Sequence, residues 1–279
     1  MNDLNTVVEA ASAKAASNDQ EDYIQDGLRY CGKCHTPKQC IKQFGPVKKK
    51  MNCLCRCEYS EKEKVRTERK ERQRFEELQQ FKRECIQDNA MQCWNFEADI
   101  APDSKPMRYA RRYVEKWQDM YTENLGLCFY GGVGTGKSFA AACIANALVA
   151  RRIPVMMTNF SRIVNGMPDM WSGERNAYIE SFNRYKLLII DDLGVERETD
   201  YVMEQVYQII DQRYKNKQPL IVTTNLGWQE IKNAETTKMQ RIYDRIVEMC
   251  LPVQVIGNSR RADTNREKQT KAKALFRGC

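Results

Sequence analysis

The feature that most constrains this chain is a glycine-rich segment, Gly131–Ser138, whose sequence GGVGTGKS fits the pattern G-x-x-x-x-G-K-[ST]. It follows an apolar run at 125–130 and leads directly into SFAAACIANALVARR, a helical pattern. Glycines let the backbone wrap around phosphate oxygens, and the wrapped N–H groups and the helix N-terminus then face the anion. The sequence therefore predicts a phosphate-binding loop made of Gly131, Gly132, Val133, Gly134, Thr135, Gly136, Lys137 and Ser138.

The two residues that end this loop have separate chemical roles. We expect Lys137 to contact only phosphate, as a mobile positive charge for the β- and γ-phosphates of ATP. The hydroxyl of Ser138 is suited to Mg²⁺, a hard cation that prefers oxygen ligands. The cofactors predicted for this site are ATP and Mg²⁺.

Polar residues follow two later apolar runs. KLLIIDDLG, residues 186–194, places Asp191 where it can reach Mg²⁺ through water and Asp192 where it can orient or deprotonate an attacking water. IVTTNL ends near Asn225, which could hydrogen-bond the γ-phosphate or the water. The alternative role for Asn225 is to cap the helix that starts near Gly227.

The rhythm of the chain after residue 106 predicts the fold class. Five apolar runs, at 125–130, 153–158, 186–191, 219–224 and 251–256, alternate with four helical stretches. This alternation predicts an α/β fold with a five-stranded, mostly parallel sheet. Ligands bind such sheets at the carboxyl ends of the strands, which is where the glycine-rich loop falls.

Cysteine usage points to a metal in the N-terminal part. Six of the 12 cysteines lie between residues 31 and 57, in a chain whose first residues resemble no secretory signal. We therefore expect a cytoplasmic protein with no membrane association, and a reducing compartment favours zinc over disulfides. The predicted zinc site takes four of five thiolates, and the spacing leaves open which two of the last three contribute: Cys31, Cys34, Cys53, Cys55 and Cys57.

Charge divides the chain further. The net charge is +8, and residues 27–57 alone carry eight Lys or Arg and no acid, which favours a polyanionic partner such as nucleic acid.

A single histidine makes Ser-His-Asp chemistry improbable. The predicted segments are an acidic flexible arm (1–26), a cysteine-rich zinc module (27–57), a charged connector helix and linker (58–105), a nucleotide-binding domain (106–261) and a basic tail (262–279).

The order GGVGTGKS, LLIIDDLG, IVTTNL and RIYDRIVEM resembles an AAA+ ATPase. More narrowly, it resembles the DnaC/DnaI-type helicase loaders and their IstB-like transposition relatives, over roughly residues 107–261. The resemblance implies an arginine finger that acts on a neighbouring subunit, at Arg245 with support from Arg241, and a nucleotide sensor at Arg261. Pairing of Arg245 with Asp244 or Glu248 on its own helix is the alternative. Only about 18 residues follow Arg261, too few for a full C-terminal lid.

The function implied by the resemblance is ATP-dependent loading of a replicative ring helicase onto single-stranded DNA, with Mg²⁺-dependent ATP hydrolysis that is slow without a partner or DNA. The implied partners are the helicase, single-stranded DNA and further copies of the chain that associate through the ATPase domain. The resemblance also implies the cytoplasm of a bacterium or of a phage-infected host. Two alternatives stay open. One is an IstB-like transposition helper, against which the zinc module argues because those relatives usually lack one. The other is a nucleotide-gated DNA-binding adaptor with negligible hydrolysis.

Overall fold

The structure is a computed structural model that describes residues 21–167, 171–194, 200–234, 236–257, 268–270, 272–273 and 275–276. It divides into two units, one extending to Glu76 and the other beginning at Glu77. Arg261, with most of the predicted basic tail and the first 20 residues of the acidic arm, lies outside the described residues. In the described part of the chain, no helix has both the length and the apolar composition needed to cross a membrane.

The first unit is built from two short antiparallel hairpins and the start of a long helix. β1 (Tyr23–Gln25) pairs with β2 (Leu28–Tyr30), and β3 (Gln39–Phe44) pairs with β4 (Val47–Asn52). The helix α1 (Arg56–Cys85) follows. Strands β3 and β4 are almost wholly exposed, so this unit has little apolar core of its own.

The second unit is a five-stranded sheet flanked by helices. The strands are β5 (Gly126–Tyr130), β6 (Val155–Thr158), β7 (Leu187–Leu193), β8 (Leu220–Thr224) and β9 (Cys250–Gln254). The helices are α2 (Lys105–Glu115), α3 (Trp117–Thr122), α4 (Lys137–Ala150), α5 (Phe160–Asn165), α6 (Ser172–Ser181), α7 (Asp200–Lys215), α8 (Trp228–Lys232) and α9 (Thr237–Met249). Short 3₁₀ turns lie at Met91–Cys93 and Phe182–Arg184.

All strand pairs in this sheet are parallel, in the order β6-β7-β8-β5-β9. The predicted α/β class and five-stranded parallel sheet are thereby confirmed. The central strands are buried on both faces, which explains their continuous apolar sequences. The carboxyl ends of β5, β7 and β8 therefore lie side by side at one edge.

The last of the four predicted helical stretches, between the runs at 219–224 and 251–256, differs from the prediction. It forms two helices, because Thr236 begins a new helix by accepting a hydrogen bond from the Met239 N–H through its side chain. Gly227 is the N-cap of α8, and its N–H donates to the Glu230 carboxylate.

A buried arginine holds the opposite, amino-terminal side of the sheet together. Arg213, on α7, is fully buried. Its guanidinium donates to the carbonyls of Tyr185 at 2.7 Å, Pro219 at 2.9 Å and Lys186 at 3.1 Å, and to the side-chain oxygen of Gln218 at 2.6 Å. Burial lowers the pKa of Arg213 to about 9, so the group stays charged at neutral pH. One side chain thus donates hydrogen bonds to the segments that lead into both β7 and β8.

Replacing Arg213 should destabilise this unit strongly. Arg213→Met keeps the volume but leaves several buried carbonyls without a donor, so we expect a loss of about 3 kcal/mol or more in the free energy of unfolding. Urea titration followed by circular dichroism measures it. The matched control is Arg112→Met, whose exposed pair with Glu115 should contribute less than about 1 kcal/mol. Equal midpoints for the two variants would contradict this role.

Candidate functional site

The glycine-rich loop connects the end of β5 directly to the first turn of α4. Three of its glycines have positive φ: Gly131 at 137°, Gly134 at 79° and Gly136 at 103°. A side chain at Gly131 would also overlap the carbonyl of Val255. Inside the loop, the Thr135 hydroxyl donates to the Gly132 carbonyl at 2.9 Å. The loop conformation therefore depends on glycine, as expected for a loop that wraps an anion.

The ammonium of Lys137 lies at the centre of the site. It donates to the carbonyls of Gly131 at 2.9 Å and Gly132 at 2.7 Å, and to the side-chain oxygen of Asn225 at 2.7 Å. The expectation that Lys137 contacts only phosphate is therefore wrong, because this buried side chain also ties the loop to the end of β8. Asn225 contacts the loop lysine, and the helix-capping position belongs to Gly227.

The two aspartates occupy an irregular end of β7. The pairing with β8 shifts register between Ile190 and Leu193, and Asp192 has a positive φ of 56°. The Thr223 hydroxyl donates to Asp191 Oδ1 at 2.6 Å and accepts from the Asp192 N–H at 2.9 Å. One threonine on β8 thus fixes both aspartates.

The surroundings of Asp191 suit a magnesium ligand. Burial raises the pKa of Asp191, and hydrogen bonds with Thr223 and Ser138 act in the opposite direction. The structure therefore brings together Ser138 and Asp191, the two residues predicted for Mg²⁺. Sequence reasoning missed the role of Thr223, for which the available signal was a hydroxyl within a buried apolar strand.

Arg245 lies on α9 and contacts α7 rather than its own helix. Its Nε lies 3.4 Å from Asp211 Oδ1, and its guanidinium lies 4.3 Å from the centroid of the Tyr214 ring. Asp211 also pairs with Lys215 at 2.6 Å. The partners expected on the same helix, Asp244 and Glu248, are replaced by Asp211. The role of Arg245 toward a neighbouring subunit stays a prediction.

The cysteine cluster lies in the first unit. One sulfur from each of Cys31, Cys34, Cys55 and Cys57 lies within 4.8 Å of every other. Cys53 Sγ instead donates to the Pro37 carbonyl at 3.4 Å and lies beside Cys40. The geometry favours the pair Cys55 and Cys57 among the three cysteines that the spacing left open.

The chemistry of these four thiols fits a thiophilic dication. A hydrogen bond with Thr36 lowers the pKa of Cys34 to about 5, whereas hydrogen bonds with the other cluster thiols raise the pKa of Cys57 to about 12. Four thiolates this close repel one another unless a cation compensates them, and zinc takes four sulfur ligands in closed structural sites.

Together, the fold and the loop define a class. A parallel sheet in the order β6-β7-β8-β5-β9, with the glycine-rich loop after β5, acidic residues at the end of β7 and Asn225 after β8, is a P-loop nucleotide-binding domain of the AAA+ type. The family model described as "IstB-like ATP binding protein" matches residues 60–268. The chain therefore belongs to the family of IstB-like ATP-binding proteins, and the resemblance to that group is confirmed.

Individual relatives agree with this assignment. The chain is 28% identical over 157 residues to the replicative helicase loader DnaC of Escherichia coli, covering 54% of this chain and 61% of DnaC. It is 27% identical over 175 residues to the replicative helicase loader DnaI of Bacillus subtilis, covering 57% and 56%. The chain thus spans about three fifths of the length of these curated relatives. A crystal structure of DnaI matches the fold with a TM-score of 0.51 and 22% identity, covering 62% of this chain and 93% of that one.

The lysine of the loop offers a direct test of ATP binding. Lys137→Ala removes the positive charge at the phosphate site, so we expect the affinity for a fluorescent ATP analogue to fall below detection. The loss of the Asn225 contact should also lower the unfolding temperature slightly, with the far-ultraviolet spectrum unchanged. The control is Lys186→Ala, an exposed lysine outside the loop. Unaltered ATP binding by Lys137→Ala would refute the site.

The cysteine geometry predicts which thiols hold metal. We expect about one zinc per chain in reduced protein, retained in Cys53→Ser and lost in Cys55→Ser, because Cys55 belongs to the cluster and Cys53 does not. Elemental analysis after gel filtration measures the stoichiometry. Zinc that survives in Cys55→Ser but not in Cys53→Ser would move the site to the alternative pair.

Proposed function

We propose that this chain is an ATP-dependent DNA replication protein that loads a replicative helicase onto single-stranded DNA. The observation that carries the proposal is the contact between Lys137 and Asn225, which joins the phosphate loop to the tip of β8. It occurs in a chain similar to two proteins named as replicative helicase loaders. The partners we propose are the helicase, single-stranded DNA and further copies of the chain, and we place the protein in the cytoplasm.

The roles at the ATP site follow from the contacts described. Lys137 and the loop amides would bind the phosphates of ATP, and Ser138 and Asp191 would hold Mg²⁺, which would neutralise charge that develops on the phosphates. Asp192, on its strained backbone, would orient the attacking water. Asn225 would sense the γ-phosphate, since it already contacts the lysine that binds there.

Hydrolysis would require a second copy of the chain. We assign Arg245 as the finger that completes the site of a neighbour, with Arg241 beside it on α9 and Arg261 as the sensor in its own subunit. The pair with Asp211 holds the Arg245 guanidinium against α7 within one chain. A monomer would therefore hydrolyse ATP slowly, and assembly would draw Arg245 away from Asp211.

The cysteine cluster supports the helicase side of the proposal. Zinc would let residues 27–57 fold without an apolar core, and this module would contact the helicase while the ATPase domain engages DNA. The second candidate function, an IstB-like transposition helper, is favoured by the family match itself. Binding to a helicase would distinguish the helicase loader from the transposition helper.

The central test is loading in vitro. The helicase that co-purifies with the chain from its native host is incubated with closed circular single-stranded DNA, the chain and ATP, and stable helicase on circles is counted after gel filtration. We expect the wild type to raise the loaded fraction at least tenfold, and Lys137→Ala to leave it at the level of helicase alone. Capture of a transposase instead of a helicase would favour the second candidate.

The trans role of Arg245 can be separated from a structural one. Arg245→Ala should bind ATP nearly as well as wild type, because its own loop is intact, and its hydrolysis should fall by about 10³-fold. Mixing it with Lys137→Ala should restore part of the activity, since some interfaces then pair an intact loop with an intact Arg245. Steady-state phosphate release measures both.

The control in that experiment is Asp211→Asn, which weakens the intramolecular pair and leaves both arginines of α9 in place. If Arg245 acts only inside its own chain, Arg245→Ala and Asp211→Asn should both lose stability and keep turnover per folded molecule. Mixing would then have no effect, and the trans assignment would fail.

A chain that binds ATP but shows no hydrolysis, alone or with DNA, would be a nucleotide-gated adaptor.

A further inference from the structure

The hairpin formed by β3 and β4, residues Gln39–Asn52, is basic on both faces and exposed along its length. Cross-strand partners share a face, so Lys42 and Lys49 project together from one side, while Lys48 and Lys50 project from the other. Lys50 and Lys48 are two positions apart on one strand, hence about 7 Å apart. The hairpin thus carries four ammonium groups on a surface of two short strands.

These lysines are not neutralised by nearby acids. Two of the acids that flank the basic stretch, Asp22 and Glu58, both pair with Lys38, at 2.9 and 3.1 Å. The structure shows no ion pair from Lys42, Lys48 or Lys49 to any described residue. Lys42 lies directly opposite Lys49, an arrangement of like charges that destabilises a strand pair. Folding alone gives no reason for this arrangement.

The tip of the same hairpin is apolar and exposed. Phe44 and Val47 face each other across the turn and are 56% and 60% exposed. Phe44 shares its face with Lys42 and Lys49. An exposed aromatic ring beside unpaired ammonium groups is the combination that binds single strands, because bases stack on the ring while lysines contact phosphates. Duplex DNA has its bases stacked internally and offers the ring no partner.

We propose that the β3–β4 hairpin is a binding site for single-stranded nucleic acid. Phe44 stacks on a base and Lys42 and Lys49 contact phosphates on the same face, while Lys48 contacts a phosphate where the strand passes around the tip to the other face. The site belongs to the first unit and requires neither ATP nor the P-loop. It rests on the proposed function for its ligand, because it adds a contact with single-stranded DNA to the one proposed for the ATPase domain, and it can be tested without the helicase. An acidic protein surface is the competing partner for the lysines, and it gives Phe44 no stacking role.

The experiment uses the full chain with zinc, without nucleotide, and a fluorescein-labelled oligomer of 20 thymidines as the probe in fluorescence anisotropy. We expect Lys42→Gln, Lys48→Gln and Lys49→Gln combined to weaken binding at least tenfold at low salt. The slope of log Kobs against log salt should become shallower by about 2, since each lost phosphate contact contributes about 0.7 on single strands. The matched control replaces Lys62, Lys64 and Lys70 with Gln, three exposed lysines of α1 with the same change in charge.

The stacking half of the site has its own control. Phe44→Ala should weaken binding by about tenfold with the salt slope unchanged, while Phe44→Trp binds at least as well as wild type. Phe75→Ala, which truncates an exposed ring on α1, should have no effect. Arginine in place of the three hairpin lysines should preserve binding, which separates loss of charge from loss of folding.

Three results would overturn the proposal. One is equal weakening by the hairpin and α1 lysine variants, which would indicate only general charge. The second is loss of binding in the arginine variant comparable to the glutamine variant. The third is displacement of the oligomer by poly-glutamate as effective as displacement by unlabelled thymidine oligomer, which would assign the hairpin to an acidic protein.

Discussion

The ammonium of Lys137 contacts three oxygens that belong to different parts of the chain, and the rest of the ATP site depends on this arrangement. Two are carbonyls of the loop after β5, and the third is on Asn225 after β8. They meet only because β5 and β8 are adjacent and parallel. The sheet order, rather than the loop sequence alone, therefore positions the residues predicted to bind phosphate beside the polar residues at the ends of β7 and β8.

Local sequence was sufficient for the parts of the structure governed by local rules. The glycines of the loop, the buried parallel strands and the edge at which Asp191 and Asn225 lie follow from residue type and order. Thr223 could not be predicted in its role, because the bond to both aspartates requires the register shift in β7 and the left-handed backbone of Asp192. Neither is encoded by a short pattern.

Elsewhere, contacts between residues far apart in the sequence limited what could be predicted. Periodicity placed Arg245 correctly on a helix, but its partner Asp211 lies on another helix 34 residues away in sequence. Spacing alone also left three cysteines as candidates for two positions, and the fold of β4 into α1 is what separates Cys53 from the cluster. In both cases the sequence identified the chemistry, and the tertiary arrangement identified the partner.

Strand β5 begins at Gly126 and is followed directly by Gly131, and a side chain at either position would overlap a neighbouring backbone. A β-carbon at Gly126 would overlap the carbonyl of Leu220 on β8, and one at Gly131 would overlap the carbonyl of Val255 just after β9. If β5 slid by one residue in either direction, a larger residue would enter one of these two positions. The two glycines therefore prevent β5 from shifting along β8 and β9. As a result, they determine the residue at which the chain leaves the sheet and the phosphate loop begins.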